Sequence, residues 1–292
     1  MKYIIYILLF FPIWVTAQTY KYIGIENGLS NRRIFNIQKD TQGYMWFLTN
    51  EGMDRYNGKD IKHYKLNKEA STLDAPVRLG WLYTGPQIGI WVIGKQGRVF
   101  RYEANEDDFR MVYKLPDISE TISCGYLDRN NNIWLCCKDS ILLYNINDAH
   151  ILQFSNILHS NITAIEQIDE QHFFIATELG VRYVKLENGI LETVPVKTLD
   201  YFHAQVSELY FHKQLKRLFI GSFERGVFVY DMNTQEIMRP EADLSDVNIA
   251  RISPLNETEL LIATEGMGVY KVNANTCNWN ITLLLIIKVI MK

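Results

Sequence analysis

One repeat constrains this 292-residue chain more than any other feature. The segments Trp46-Phe-Leu-Thr, Trp91-Val-Ile-Gly, Trp134-Leu-Cys-Cys, Phe174-Ile-Ala-Thr, Phe219-Ile-Gly-Ser and Leu261-Ile-Ala-Thr stack at intervals of 40 to 45 residues, each with a large apolar residue leading to a small one. That interval is about one propeller blade, roughly 40 to 50 residues. Nine to eleven residues beyond each anchor stands a tyrosine: Tyr56, Tyr102, Tyr144, Tyr183, Tyr230 and Tyr270. In five repeats a glycine lies between the two, at Gly52, Gly97, Gly180, Gly226 and Gly268, where a hairpin turn needs a residue tolerant of positive φ. The third repeat has Asp139-Ser140 there instead.

Upstream of each anchor lies another short apolar run, beginning at Ile34, Leu79, Ile122, Ile162, Val206 and Ile249. Turn residues separate it from the anchor, most clearly in Asp40-Thr-Gln-Gly43 and Asp128-Arg-Asn-Asn131, because Asp and Asn bond their own backbone and Gly and Asn accept left-handed geometry. Two further strands complete the unit, as in Met53 to Tyr56 and Ile61 to Leu66. The expected fold is all-β: a propeller of four-stranded antiparallel blades, with six repeats visible. At 48% hydrophobic and 13% aromatic residues the chain has ample material for such a core.

The first residues read differently. Met1-Lys2, an apolar run from Tyr3 to Val15 interrupted by Pro12, and small residues at Val15-Thr16-Ala17 predict a cleavable signal peptide over 1–17 and a periplasmic location for the mature chain. A net charge of −3 offers no basic face to nucleic acid. Four cysteines, Cys124, Cys136, Cys137 and Cys277, are too few for a disulfide framework at this length and read as buried small hydrophobes.

Asn27-Gly-Leu-Ser30, Asp40-Thr-Gln-Gly-Tyr-Met-Trp46, Thr49-Asn-Glu-Gly52 and Asp54-Arg-Tyr-Asn-Gly58 make the first repeat resemble the two-component regulator propeller family. The resemblance implies the periplasmic sensor part of hybrid histidine kinases of Bacteroidetes, many of which answer to oligosaccharides, and it implies a sensor, not an enzyme. Such propellers usually have seven blades, so the resemblance further implies an incomplete seven-bladed ring. The kinase and DNA-binding parts of the family have no counterpart here. Expected partners are an oligosaccharide or other small periplasmic ligand, and the remaining sensor-kinase domains or a second copy of the chain. The expected organisation is a sensor propeller over 18–275 followed by an aberrant hydrophobic tail over 276–292, which suggests a truncated product. A closed six-bladed ring stays open as an alternative, with Trp279 to Leu285 as an outer strand.

Register supplies one candidate site. The position just before each innermost strand holds Arg33, Arg78, Thr121, Asn161, Gln205 and Asn248, all polar and 13 or 14 residues ahead of their anchors, which predicts a ring of donors and acceptors at one mouth of the central channel. Such a ring suits sugar hydroxyls, with Trp81 or Tyr83 nearby to stack on them. Polar residues also simply solvate strand ends, and the repeated aromatics read as core because every blade has them. No metal is expected, since the six histidines show no ligand spacing, and Glu106-Asp107-Asp108 reads as a solvated turn in preference to a calcium site. No cofactor is expected either. An exported propeller glycoside hydrolase or lyase, which needs two converging carboxylates, and a non-functional remnant of a longer gene remain the alternatives.

Overall fold

The structure, a computed structural model, describes residues 22–66, 79–116, 121–240, 246–276 and 282–285. The segment read as a signal peptide, Arg78 and Cys277 lie outside these residues.

Six four-stranded antiparallel sheets follow one another along the chain. The first blade comprises β1 (Ile34–Lys39), β2 (Met45–Thr49), β3 (Gly52–Tyr56) and β4 (Ile61–Tyr64). The second comprises β5 (Leu79–Gly85), β6 (Gly89–Gly94), β7 (Arg98–Glu103) and β8 (Asp108–Lys114). The third has β9 (Cys124–Leu127), β10 (Asn132–Cys136), β11 (Ser140–Asn145) and β12 (Ile151–Ser155). In the fourth are β13 (Ile162–Gln167), β14 (His172–Thr177), β15 (Gly180–Glu187) and β16 (Ile190–Val194). β17 (Val206–His212), β18 (Arg217–Ser222), β19 (Val227–Asp231) and β20 (Glu236–Met238) build the fifth. The sixth is made of β21 (Ile249–Pro254), β22 (Glu259–Thr264), β23 (Gly268–Asn273) and β24 (Thr282–Leu285). Its outermost strand is therefore drawn from the hydrophobic tail, paired with Val269, Tyr270 and Lys271. The molecule is a six-bladed propeller, and one helical turn, α1 (Lys197–Asp200), packs beside β15.

The repeat is legible in local chemistry. Each anchor lies on the second strand of its blade. Ahead of it, Asp40 Oδ1 accepts the N–H groups of Gln42 and Tyr44 at 2.9 Å each, and Oδ2 accepts Trp46 Nε1–H at 2.7 Å. Asp128 repeats the arrangement with Asn130, Asn132 and Trp134 Nε1–H, at 2.9, 2.8 and 2.9 Å. One carboxylate thus fixes both the turn and the rotamer of the core tryptophan six residues on. The small residue that ends the anchor motif has its own role: the hydroxyls of Thr49, Thr177, Ser222 and Thr264 donate to the carbonyls of Gly52, Gly180, Gly226 and Gly268, closing each hairpin from inside. All five predicted turn glycines have positive φ. In the third blade the inner strand starts later than its apolar pattern predicts, at Cys124 instead of Ile122, although Ser123 N–H still donates to Cys136 O.

The family words of the first repeat are likewise structural. Leu29 packs with Phe47 and Tyr56, and Ser30 donates through both its N–H and its hydroxyl to the buried carboxylate of Asp54, whose other oxygen meets His63 Nδ1 at 2.7 Å.

Blades pack through apolar layers, each pairing the anchor face of one sheet with the opposite face of the next. Trp46 and Leu48 meet Leu82 and Val92. Trp91 and Ile93 meet Ile133 and Leu135; Trp134 and Cys136 meet Phe173 and Ile175. Phe174 and Ala176 meet Leu218 and Ile220, and Phe219 meets Leu260 and Ile262. Each fully buried anchor contributes about 1.5–3 kcal/mol relative to exposure. The sixth anchor, Leu261, is only half-buried. On the first blade Ile37 is 49% exposed, whereas Leu82, Ile165, Leu209 and Ile252 at the same register are between 0% and 5% exposed. The described residues therefore form five inter-blade layers and leave an outer face on each terminal blade.

Candidate functional site

Because Ile34, Ile162, Val206 and Ile249 pair with Thr49, Thr177, Ser222 and Thr264, each inner strand begins beside the hairpin joining the second and third strands of its blade. Arg33, Asn161, Gln205 and Asn248 stand immediately before β1, β13, β17 and β21, at this same end of the molecule. Thr121 is exposed but three residues short of β9, owing to the late start of that strand.

The mouth also contains what the register argument missed. Asn161 Nδ2 donates to Glu178 Oε1 at 3.3 Å and Asn248 Nδ2 to Glu265 Oε2 at 3.1 Å, while Asn248 Oδ1 accepts Glu224 N–H at 2.8 Å. The hairpin acids Glu178 and Glu265 thus engage two of the ring amides. Their signal in the sequence is the acid placed directly after Thr177 and Thr264, ahead of the turn glycine. Arg33 carries its guanidinium 5.2 Å from the Phe35 ring.

Deeper in the channel, inner strands from five blades bring polar groups together. Glu208 on β17 lies 3.4 Å from Arg251 Nη1 on β21. Glu166 on β13 accepts Phe211 N–H at 3.3 Å and feels the charges of Glu208, Arg251 and Arg129. Tyr83 on β5, in the second blade, also feels the charges of Arg251 and Glu208 in the sixth and fifth. Tyr83 donates its hydroxyl to Gly125 O at 2.8 Å, and Tyr126 on β9 accepts Gln167 N–H at 3.1 Å.

Enclosure by protein pushes the carboxyl of Glu166 up to about 7, with the charge of Glu208 adding to the effect and the Phe211 N–H and two arginines opposing it. Burial pushes Glu208 up to about 7 as well, against the pull of Arg251. The Glu208 side chain keeps 17% of its surface exposed, so it is in reach of the channel. The cluster can donate or accept hydrogen bonds near neutrality according to its proton load.

A second polar cluster bridges the first two blades. Asp107, in the turn before β8, accepts from Arg55, Lys62, Tyr64 and Tyr102, and these bonds, those of Lys62 and Tyr102 foremost, hold its carboxyl well below the usual range. Arg55 in turn lies over the Tyr44, Trp46 and Tyr64 rings. This acid is committed to protein cations and hydroxyls. Among the described residues no group of three His, Cys, Asp or Glu side chains is placed to hold a metal ion.

Residues 28–51 match the two component regulator propeller family. No curated protein matches the chain. The fold is similar to the extracellular domain described as that of a hybrid two component system, BT3049, from B. thetaiotaomicron, with a TM-score of 0.70 and 20% identity over 90% of this chain and 36% of that one. It is also similar to the corresponding domain of BT4673 from B. thetaiotaomicron, with a TM-score of 0.65 and 17% identity over 90% of this chain and 34% of that one. The chain thus spans about a third of the length of these domains. A streptogramin B lyase superimposes with a TM-score of 0.67 and 16% identity, over 87% of this chain and 83% of that one. Among the described residues no helix is long and apolar enough to cross a membrane.

Proposed function

We propose that this chain, whose first blade is a two component regulator propeller repeat, is a ligand-sensing propeller that works outside the cytoplasm and takes an oligosaccharide at its channel. The observation that carries the reading is the polar cluster that the inner strands of the fourth to sixth blades bring together, with Glu208 3.4 Å from Arg251 and Glu166 within reach of the charges of both. Sugar hydroxyls need many donors and acceptors on one concave surface. Arg33, Arg78, Thr121, Asn161, Gln205 and Asn248 would supply the outer contacts and the channel cluster the inner ones. Signal would pass by changed packing against the remaining sensor-kinase domains or a second copy of the chain, after export through a cleaved leader.

The test is thermal unfolding of the chain with a panel of oligosaccharides. A glycan held at a hundred times its dissociation constant stabilises the fold by about 2.7 kcal/mol, which a melting scan resolves. The upward shift is expected from one glycan class and is expected to be lost in Glu208→Ala and in Asn161→Ala/Gln205→Ala. A panel without any shift, on a protein that melts cooperatively, would sink the sugar reading.

The likeness to a streptogramin B lyase motivates a second reading, an exported propeller hydrolase or lyase. Acid–base chemistry is served by two groups whose environments drive their pKa values apart. Burial moves Glu166 and Glu208 in the same direction, upward, and not apart, which favours binding. Chromatography of the same glycan incubations separates the two: cleavage products lost in Glu166→Gln would support the enzyme.

A further inference from the structure

In the third blade, one cross-strand pair of the inner hairpin consists of two cysteines. Cys124 on β9 and Cys136 on β10 are direct partners in register. The same pair is Asn36 and Leu48 in the first blade, Trp81 and Ile93 in the second, and Ala164 and Ala176 in the fourth, so nothing in the repeat itself requires sulfur here. Both cysteines are buried on one face, in the layer shared with Trp134, Ile165 and Phe173. Both thiols are free, and the Cys124 thiol donates to Gly125 O at 3.9 Å.

Partners in an antiparallel pair have Cα atoms about 4.5–5.5 Å apart. A disulfide closes without backbone movement over roughly 4.4–6.8 Å. Cys137 follows Cys136 directly but points the other way, into the layer with Trp91 and Ile133, as strand alternation demands. It is thereby removed as a competitor in the folded blade.

Burial pushes the Cys136 thiol well above its ordinary value, so in the finished reduced fold it is a poor nucleophile. Bond formation accordingly belongs to the stage before the fourth blade covers the third. Once formed, the bond would be shielded from external thiols by the same layer.

We propose that Cys124 and Cys136 form a cross-strand disulfide, laid down as the chain folds in the presence of a disulfide donor. One cysteine thiolate attacks a sulfur of the donor, releasing one donor thiol and leaving a mixed disulfide; the second cysteine thiolate then displaces the other half. The two cysteines lose two protons and two electrons, and the donor disulfide is reduced to two thiols. That this happens in the cell rests on the reading of the chain as exported, since such bonds persist in oxidising compartments.

The experiment separates the pairing from the compartment. The full chain is reduced and unfolded, refolded in a buffer of reduced and oxidised glutathione, alkylated under denaturing conditions, and digested without reduction. Cleavage after Arg129 puts the two cysteines on different peptides. The expected product is a linked pair of peptides lighter than the two free ones by two hydrogens. Because Cys136 and Cys137 share a peptide, the map is repeated on Cys137→Ser, where the link must persist, and on Cys136→Ser, where it must vanish. Adding reductant is expected to lower the melting temperature of the oxidised chain by a few degrees and to leave that of Cys124→Ser unchanged. Alkylation of both Cys124 and Cys136 after refolding, or a link that survives Cys136→Ser, overturns the proposal. A bond present after glutathione refolding and missing from protein recovered from the cell upholds the pairing and counts against export.

Discussion

Asp128 shows how much of this fold is decided by single side chains. Asp128 is 4% exposed, and its carboxylate holds two turn N–H groups, the side-chain amide of Asn132 and the indole of Trp134, which is itself fully buried. Replacing it with alanine leaves four donors without their acceptor; of these the indole N–H is buried, and a buried unsatisfied donor costs about 1–3 kcal/mol. Asp128→Ala is therefore expected to lower the chemical-unfolding midpoint clearly, with a red shift in tryptophan emission as the third blade loosens. Ser222→Ala is expected to cost nearer 1 kcal/mol, because it removes one hydroxyl bond to Gly226 from a hairpin whose backbone ladder stays intact. These contacts were legible in outline from the sequence: the anchor spacing announced the strands, and the Asp-to-Trp interval of six residues occurs in the first and third repeats. The tie from threonine or serine to the turn glycine was not, since the pattern shows only that the residue is small and says nothing of where its hydroxyl points.

At the scale of the hairpin, the two glycines of the first blade separate conformational strain from lack of space. Gly43 has φ of +90° and open space around an added Cβ, whereas Gly52 has φ of +134° and would set that Cβ 2.3 Å from the carbonyl oxygen of Tyr64. Gly43→Ala is expected to cost about 1–2 kcal/mol, the ordinary penalty of a left-handed backbone for an L-residue. Gly52→Ala must also displace the backbone that follows β4 and is expected to exceed about 4 kcal/mol, in the range of severe core lesions. Equal midpoints for the two variants in urea would show that space plays no part. The late start of β9 was hidden from pattern reasoning for a related cause: Ile122 is apolar and buried, as a strand residue would be, but its N–H goes to Lys95 O in the second blade and not into its own ladder. Periodicity reports burial, and here burial and pairing part company.

The channel cluster exists only when neighbouring blades are assembled, with Glu166 on the fourth, Glu208 on the fifth and Arg251 on the sixth, so its titration reports how these blades pack together. Glu166 and Glu208 hold a proton more tightly in the folded chain, at about 7, than at the ordinary value of 4.5. Their stabilising contribution is full below pH 4.5 or so and is lost as pH rises through 7. Melting temperatures of the ligand-free chain are thus expected to fall between pH 5 and pH 8 more steeply than those of Glu166→Gln/Glu208→Gln; parallel curves would mean that neither carboxyl is perturbed. Sequence reasoning pointed to the positions before the inner strands and not to this cluster, because two glutamates on different strands, Glu166 and Glu208, are brought near each other only by the packing of the blades. That same geometry gives Cys136 and Cys137 a use of their own. Adjacent in the chain, they sit in different seams, Cys136 between the third and fourth blades and Cys137 between the second and third. In the fully reduced protein, the rates at which a thiol reagent reaches these two neighbouring sulfurs would clock the breathing of two separate seams from within a single peptide.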